Sequence, residues 1–163
     1  MKAAMLKLYR AHNLSLGFPA IGTFVDPYQV LARRPLSMPR WLHEAADEWF
    51  LSSFGTRFRS RALFASGNLN QAAKYLDADR VMLTVWPIGD YRLCFSLDVY
   101  DLFDTLVSRF SSQDASAHEV KAELGLLGYQ CFHNCGLELA VASQCEVMLV
   151  APEYGYEIVQ VSP

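Results

Sequence analysis

Apolar residues recur at three- and four-residue intervals along two stretches of the chain, at positions 39–53 and 116–127. This spacing places the apolar side chains on one face of a helix. Gly55 follows the first stretch, where a left-handed C-terminal cap belongs. Ser116 and Glu119 have the spacing of a capping box at the start of the second stretch. The pattern therefore predicts two longer helices.

Shorter signals predict the remaining elements. Three further helices are expected from Asp26 and Pro27 to about residue 33, from Asn68 or Asn70 to Tyr75, and from Asp98 to about Phe110. Strands are expected at 5–11, 61–65, 81–87 and 91–96, with two or three more in 130–161, chiefly 145–150 and 154–161. The Pro-Ile-Gly-Asp turn after the third strand favours a hairpin with the fourth, and 17–22 and 133–143 are expected to be loops. This order predicts an α+β fold.

Composition narrows the class of protein. The chain has 163 residues, of which 52% are hydrophobic and 19% charged. This length and mixture predict one domain over residues 1–163 with a dense core. The net charge of −3 disfavours a protein that binds nucleic acid through its phosphates. Arg57, Arg59 and Arg61 form a basic cluster, which we interpret as the solvated face of an extended segment leading into a strand.

Membrane, secretion and metal signals are weak in this sequence. Apolar runs are far shorter than the ~20 residues of a membrane span, and Lys7 interrupts the apolar residues at the start of the chain. We therefore expect a cytoplasmic protein, in the producing cell or in a target cell after delivery, with no membrane partner. The four cysteines are expected to be reduced. Cys131, His133 and Cys135 lack a fourth ligand at a recognised spacing, so no metal site is predicted.

Three separated segments carry the candidate chemistry. They are LYRAH at 8–12, ALFASGN at 62–68 with QAAKY at 71–75, and QCEVML at 144–149 with YEIV at 156–159. In this order, and on predicted strands, they resemble the ADP-ribosyltransferase superfamily, specifically the members built on an Arg, Ser, Glu triad. The motifs GxGxxG, HExxH and GxSxG are absent from the sequence, and so is a phosphate loop.

The resemblance implies a fold and an activity. The fold is a split antiparallel β core with flanking helices, and the activity is transfer of ADP-ribose from NAD. Arg10 would hold the phosphates or the nicotinamide ribose, and Ser66 would orient the ribose or the catalytic Glu146. Phe64 belongs to the strand that resembles the family's Phe-x-Ser-Thr-Ser sequence, of which this chain keeps one serine, and is a further candidate for NAD binding. A glutamate suits this role because breaking the bond to nicotinamide develops positive charge on the sugar.

Three other residues are candidates from the same resemblance. Tyr75 has the spacing of the tyrosine that stacks on nicotinamide in the poly-ADP-ribose polymerase branch. His12 lies two residues beyond Arg10 on the same predicted strand face, so the sequence leaves open which of the two faces NAD. Gln144 precedes the glutamate by two residues, which resembles the Gln-x-Glu pair that accompanies modification of residues other than arginine. We therefore expect Gln144 to contact the substrate.

The sequence leads to three hypotheses of function. The first is a mono-ADP-ribosyltransferase of bacterial or phage origin that uses NAD as co-substrate and modifies a target protein, as a toxin or effector does. The second is an NAD glycohydrolase that uses the same residues. The third is a non-catalytic interaction module, with the helix that carries Trp41, Trp49 and Phe50 facing a partner. The acidic charge balance argues against a nucleic-acid acceptor.

Overall fold

The computed structural model describes residues 6–14, 18–29, 31, 33, 35, 38–110 and 115–159. In this part of the chain, eight strands form one antiparallel sheet, accompanied by six α-helices and a 3-10 turn at Pro27–Gln29. The strands are β1 Leu8–His12, β2 Ile21–Phe24, β3 Leu63–Ser66, β4 Val81–Ile88, β5 Arg92–Phe95, β6 Gln130–His133, β7 Glu146–Val150 and β8 Glu153–Val159. The helices are α1 Arg40–Phe54, α2 Phe58–Arg61, α3 Leu69–Ala73, α4 Leu102–Phe110, α5 Ala117–Leu126 and α6 Leu137–Ser143. The predicted α+β class is confirmed.

The sheet consists of two four-stranded halves that meet between β1 and β3. The strand order is β2-β8-β4-β1 in one half and β3-β7-β5-β6 in the other. Strand β1 pairs with β4 along its whole length, whereas it pairs with β3 only where Tyr9 lies opposite Ser66. The guanidinium of Arg10 donates from Nη1 to the carbonyl oxygen of Phe64 at 2.9 Å. An arginine side chain on β1 therefore adds a hydrogen bond where the main-chain ladder stops.

Apolar side chains are buried on both faces of the sheet. Successive residues of a strand point to opposite faces. Leu93 and Leu149 accordingly belong to one buried cluster, and Cys94 and Met148 belong to another. Helices α1, α4 and α5 pack in the cluster that contains Met148, and α6 contributes Ala140 to the opposite one. The second half of the sheet is thus covered by helices on both sides.

Helices with local capping signals were predicted correctly. Gly55 ends α1 with a φ of 76°, and its N–H donates to the carbonyl of Leu51. The side chain of Asn68 caps α3 by accepting from the main chain of the first helical turn. Ser116 accepts from the N–H of Glu119 and begins α5. These three ends are set by hydrogen bonds within a few residues, which is why the sequence locates them.

Several predictions about strands and loops are wrong. Strands β4 and β5 do not form a hairpin, because β4 lies between β8 and β1 while β5 lies between β7 and β6. Between β4 and β5 the chain passes from one half of the sheet to the other, and Gly89, with a φ of 83°, lies in this connection. The predicted loops at 17–22 and 133–143 contain the start of β2 and helix α6. Residues 15–17, the first residue of the strand predicted at 5–11, and 160–161 lie outside the described residues.

Two predicted helix boundaries and one strand boundary also need correction. Among the described residues of the helix expected from Asp26 to about residue 33, only the 3-10 turn is helical, and Asp26 accepts from the N–H of Tyr28 there at 3.1 Å. Asp98 does not cap α4, because the helix begins only at Leu102 and Asp98 lies in a turn where its N–H donates to Ser96. Asp101 takes that role and accepts from the N–H of Asp104. The strand expected from residue 61 begins only at β3, because α2 occupies the preceding residues.

Candidate functional site

A cavity of about 710 Å³ lies where the two halves of the sheet meet. Its volume is in the range of sites that take nucleotide-sized ligands. Six of the seven residues predicted from the sequence line it, and these are Arg10, His12, Phe64, Ser66, Tyr75 and Glu146. Gln144 is not among the lining residues; it is exposed, and its Nε2 donates to the carbonyl of Val141. The structure therefore brings together every predicted candidate except Gln144.

Ser66 and Glu146 are direct neighbours across two strands. The register of β3 and β7 sets Ser66 opposite Glu146 and Phe64 opposite Met148. Side chains that face each other in this way have Cβ atoms about 5 Å apart. The buried Ser66 hydroxyl accepts from the N–H of Asn68 at 3.0 Å. Ser66 thus sits beside the carboxylate and also anchors the turn that starts α3.

Glu146 is a buried carboxylate with a basic partner. Its Oε1 lies 3.4 Å from Nη1 of Arg59, and the two side chains are only 12% and 7% exposed. Burial raises the pKa of Glu146 to about 7, although Arg59 and the N–H of Leu102 favour the ionised form. Near neutral pH, both the protonated and the ionised forms of Glu146 are therefore populated.

Arg59 corrects the interpretation of the basic cluster as a solvated face. Residues 57–61 include the helical turn α2, in which residues two apart point in nearly opposite directions. Arg57 is exposed and pairs with Asp47, whereas Arg59 is buried with its guanidinium 4.6 Å from the centre of the Phe64 ring. The alternation assumed for an extended segment does not apply here, so no local sequence pattern indicated this contact.

The cavity carries more positive than negative side chains. Its lining includes four arginines, Arg10, Arg33, Arg59 and Arg80, and two carboxylates, Asp26 and Glu146. Arg33 stacks on the rings of Tyr28 and Phe64, and its Nε is buried without a hydrogen-bond partner among the described residues. A locally basic cavity in a chain of net charge −3 favours an anionic ligand.

The sequence left open whether Arg10 or His12 faces the site, and in the structure both line the cavity. Nε of Arg10 donates to Nδ1 of His12 at 3.0 Å. Burial, together with the charge of Arg10, lowers the pKa of His12 to about 4, so the imidazole is neutral near neutral pH. Burial and the nearby Arg33 lower the pKa of Arg10 to about 10, which leaves its guanidinium charged. Of the two side chains on β1, Arg10 is the one that offers charge to a ligand.

Tyr75 is held at the cavity by a buried carboxylate. Its hydroxyl donates to Oδ2 of Asp101, which also accepts from Nε2 of Gln71 at 3.1 Å. Burial and this hydrogen bond raise the pKa of Tyr75, so the phenol stays protonated. The ring remains partly exposed and lines the cavity. Asp101 fixes the hydroxyl end of a ring whose remaining surface is open to a ligand.

No family model, curated protein or solved structure matches this chain. Among the described residues, no helix has the length and apolar character needed to span a membrane. Any assignment of activity therefore rests on the residues of the cavity themselves.

The aromatic residues of α1 pack towards the interior of the protein. Phe50 is fully buried, and Trp49 packs against Phe50, Phe54 and Tyr129. Trp41 is partly buried against the same cluster. Phe50 is therefore unavailable to a partner, whereas Trp41 and Trp49 are only partly buried, and the interaction module stays a hypothesis.

Proposed function

We propose that this protein is a mono-ADP-ribosyltransferase, which takes ADP-ribose from NAD and transfers it to a protein side chain. One observation carries the proposal: Ser66 lies opposite Glu146 on adjacent strands, and Arg10 reaches across the junction of the sheet into the same cavity. An antiparallel sheet whose halves meet at one residue pair is compatible with the split core of that family. The fold assignment is part of the proposal.

Glu146 would act on the ribose that carries nicotinamide. In its ionised form it accepts a hydrogen bond from a ribose hydroxyl and stabilises the positive charge that develops on the sugar. Because the pKa of Glu146 is about 7, the ionised fraction increases as the pH rises through that value. We therefore expect the transferase rate to increase over the same range of pH.

The remaining lining residues suit the other parts of NAD. Planar guanidinium groups such as those of Arg10 and Arg33 bind phosphate oxygens in pairs of hydrogen bonds. The ring of Tyr75 offers an aromatic face to the nicotinamide, and its hydroxyl is already held by Asp101. The cavity volume of about 710 Å³ is adequate for a ligand of this class.

A protein acceptor is favoured over a nucleic acid because of the charge outside the cavity. The chain has a net charge of −3, although the cavity itself has two more arginines than carboxylates. The remaining surface is therefore acidic on balance, and it would repel the phosphates of a nucleic-acid acceptor.

Incubation with labelled NAD, with and without a cell lysate, tests the proposal. Glu146→Gln keeps the shape of the side chain but cannot ionise, and it should lower labelling of protein by roughly 100-fold or more. Glu157→Gln, on the exposed face of β8, is the matched control and should label as the wild type does.

Three outcomes of this assay separate the hypotheses. A labelled protein band that Glu146→Gln abolishes and Glu157→Gln retains supports the transferase. Release of nicotinamide without labelled protein supports the glycohydrolase. Absence of both, with no heat of NAD binding in calorimetry, refutes both enzymatic hypotheses.

A further inference from the structure

Arg59 lies in contact with the proposed catalytic carboxylate and has no place in the predicted site. Besides the 3.4 Å contact with Glu146, its Nη1 lies 4.0 Å from the sulfur of Met148, and its guanidinium stacks on Phe64. Its Nε is buried without a hydrogen-bond partner among the described residues. A buried charge of this kind is costly to hold unless a nearby opposite charge compensates it.

Charged and titratable groups from several elements face Glu146. Arg59 on α2 and Arg33 before α1 favour its ionised form, and Asp101 before α4 opposes it. Tyr75 after α3 and Tyr129 before β6 interact with it electrostatically, and the pKa of each is raised, so both are neutral near neutral pH. Arg59 is the cation in direct contact, so it has the strongest influence in favour of the ionised carboxylate.

We propose that Arg59 is a positioning residue for Glu146, whose guanidinium pairs with the carboxylate, favours its ionised form and holds it at the cavity. Stacking on Phe64 fixes the plane of the guanidinium, and Phe64 lies directly opposite Met148 on the neighbouring strand. The residues that hold Arg59 are thus next to Ser66 and Glu146 in the same two strands. The consequence for catalysis rests on the proposed function, whereas the consequence for the charge of Glu146 does not.

Two measurements on the same variants test this role. The first is a carbon NMR titration of the Glu146 carboxyl, which needs no activity. The second is the pH profile of protein labelling from NAD. Arg59→Gln and Arg59→Met both remove the charge but pack differently, and Arg59→Lys keeps a positive charge. Arg57→Gln is the control, because Arg57 is close in the chain but pairs with Asp47 and not with Glu146. Thermal melts show which variants fold, and one folded neutral variant, Arg59→Gln or Arg59→Met, is enough for the test.

We expect the titration midpoint of Glu146 to remain near 7 in the wild type and Arg57→Gln. It should rise by about one pH unit or more in the neutral Arg59 variants, which lowers the ionised fraction at neutral pH roughly fivefold. The labelling rate should fall in the same proportion at neutral pH and recover at higher pH. Arg59→Lys should lie between the wild type and the neutral variants in both measurements.

The possible failures are distinguishable. An unchanged Glu146 midpoint in a folded neutral variant overturns the role of Arg59, whatever the activity. Faster labelling by that variant also overturns it, because Arg59 would then mask the carboxylate. If no protein labels, including the wild type, the proposed function fails, and the NMR midpoints alone decide whether Arg59 sets the charge of Glu146.

Discussion

Glu146→Gln has a consequence for stability that is separate from its effect on activity. Burial raises the pKa of Glu146 from 4.5 to about 7. Between these two values the folded protein keeps a proton that the unfolded chain releases. The stability that Glu146 contributes is therefore complete below pH 4.5 and is lost as the pH rises to about 7. Glutamine resembles the protonated side chain at every pH, so the variant has no such loss.

The separation between the two pKa values sets the size of the effect. A shift from 4.5 to about 7 corresponds to roughly 3 kcal/mol of unfolding free energy. The Glu146 side chain is 12% exposed, so solvent screens little of this. His12 and His43 act in the opposite direction, because burial lowers their pKa values and their contribution increases as the pH rises. The wild type and Glu146→Gln both contain these histidines, so their contributions cancel when the two unfolding free energies are subtracted.

Urea unfolding of the two proteins from about pH 5 to about pH 8 measures this difference. We expect Glu146→Gln to gain roughly 2.5 kcal/mol over the wild type between the two ends of the range, because part of the wild-type loss has already occurred at pH 5. Glu157→Gln, with its exposed side chain, should show no comparable gain. A difference between wild type and Glu146→Gln that is constant with pH would refute the raised pKa and the reasoning built on it.

Three further predictions concern packing and the tyrosine. Gly67→Ala should destabilise the protein by roughly 1–3 kcal/mol or more, because its Cβ would lie 2.1 Å from the carbonyl oxygen of Val141. Gly125→Ala should stabilise it by roughly 0.5–1 kcal/mol, because this position within α5 has no atom within 4 Å of a new Cβ; thermal unfolding measures both changes. Tyr75→Phe should cost about 1 kcal/mol by removing the hydrogen bond to Asp101. It should leave NAD affinity in calorimetry nearly unchanged, since the ring remains.

The elements that the sequence located are those whose ends depend on nearby residues. Gly55, Asn68 and Ser116 each form a cap with groups a few positions away. Helix α6 has no such signal, since Gly136 precedes it without a side-chain cap. Strand β2 is short, lies at the edge of the sheet and exposes Ile21. The partners of β4 and β5 are distant in the chain, so turn residues beside them did not reveal the pairing.

The residues of the candidate site fall into the same two groups, those that the sequence indicated and those that depend on contacts distant in the chain. Arg10, Ser66 and Glu146 were chosen from their order in the sequence, and all three line one cavity. Arg59 and Asp101 were missed because their importance arises from burial against β7 and α3, which no local spacing encodes. Charged residues are usually solvated, so a sequence pattern favours that interpretation until the three-dimensional contacts are known.

The junction between β1 and β3 gives the sheet a seam at its centre, where Tyr9 faces Ser66 and Arg10 spans the gap. A ligand that contacts Arg10 on one side and Glu146 on the other would link the two halves of the sheet across that seam. Binding would then stabilise both halves of the sheet and make them more rigid. Slower exchange of the amide hydrogens on both strands, including those far from the ligand, would be the measurable sign of such a link between the two halves.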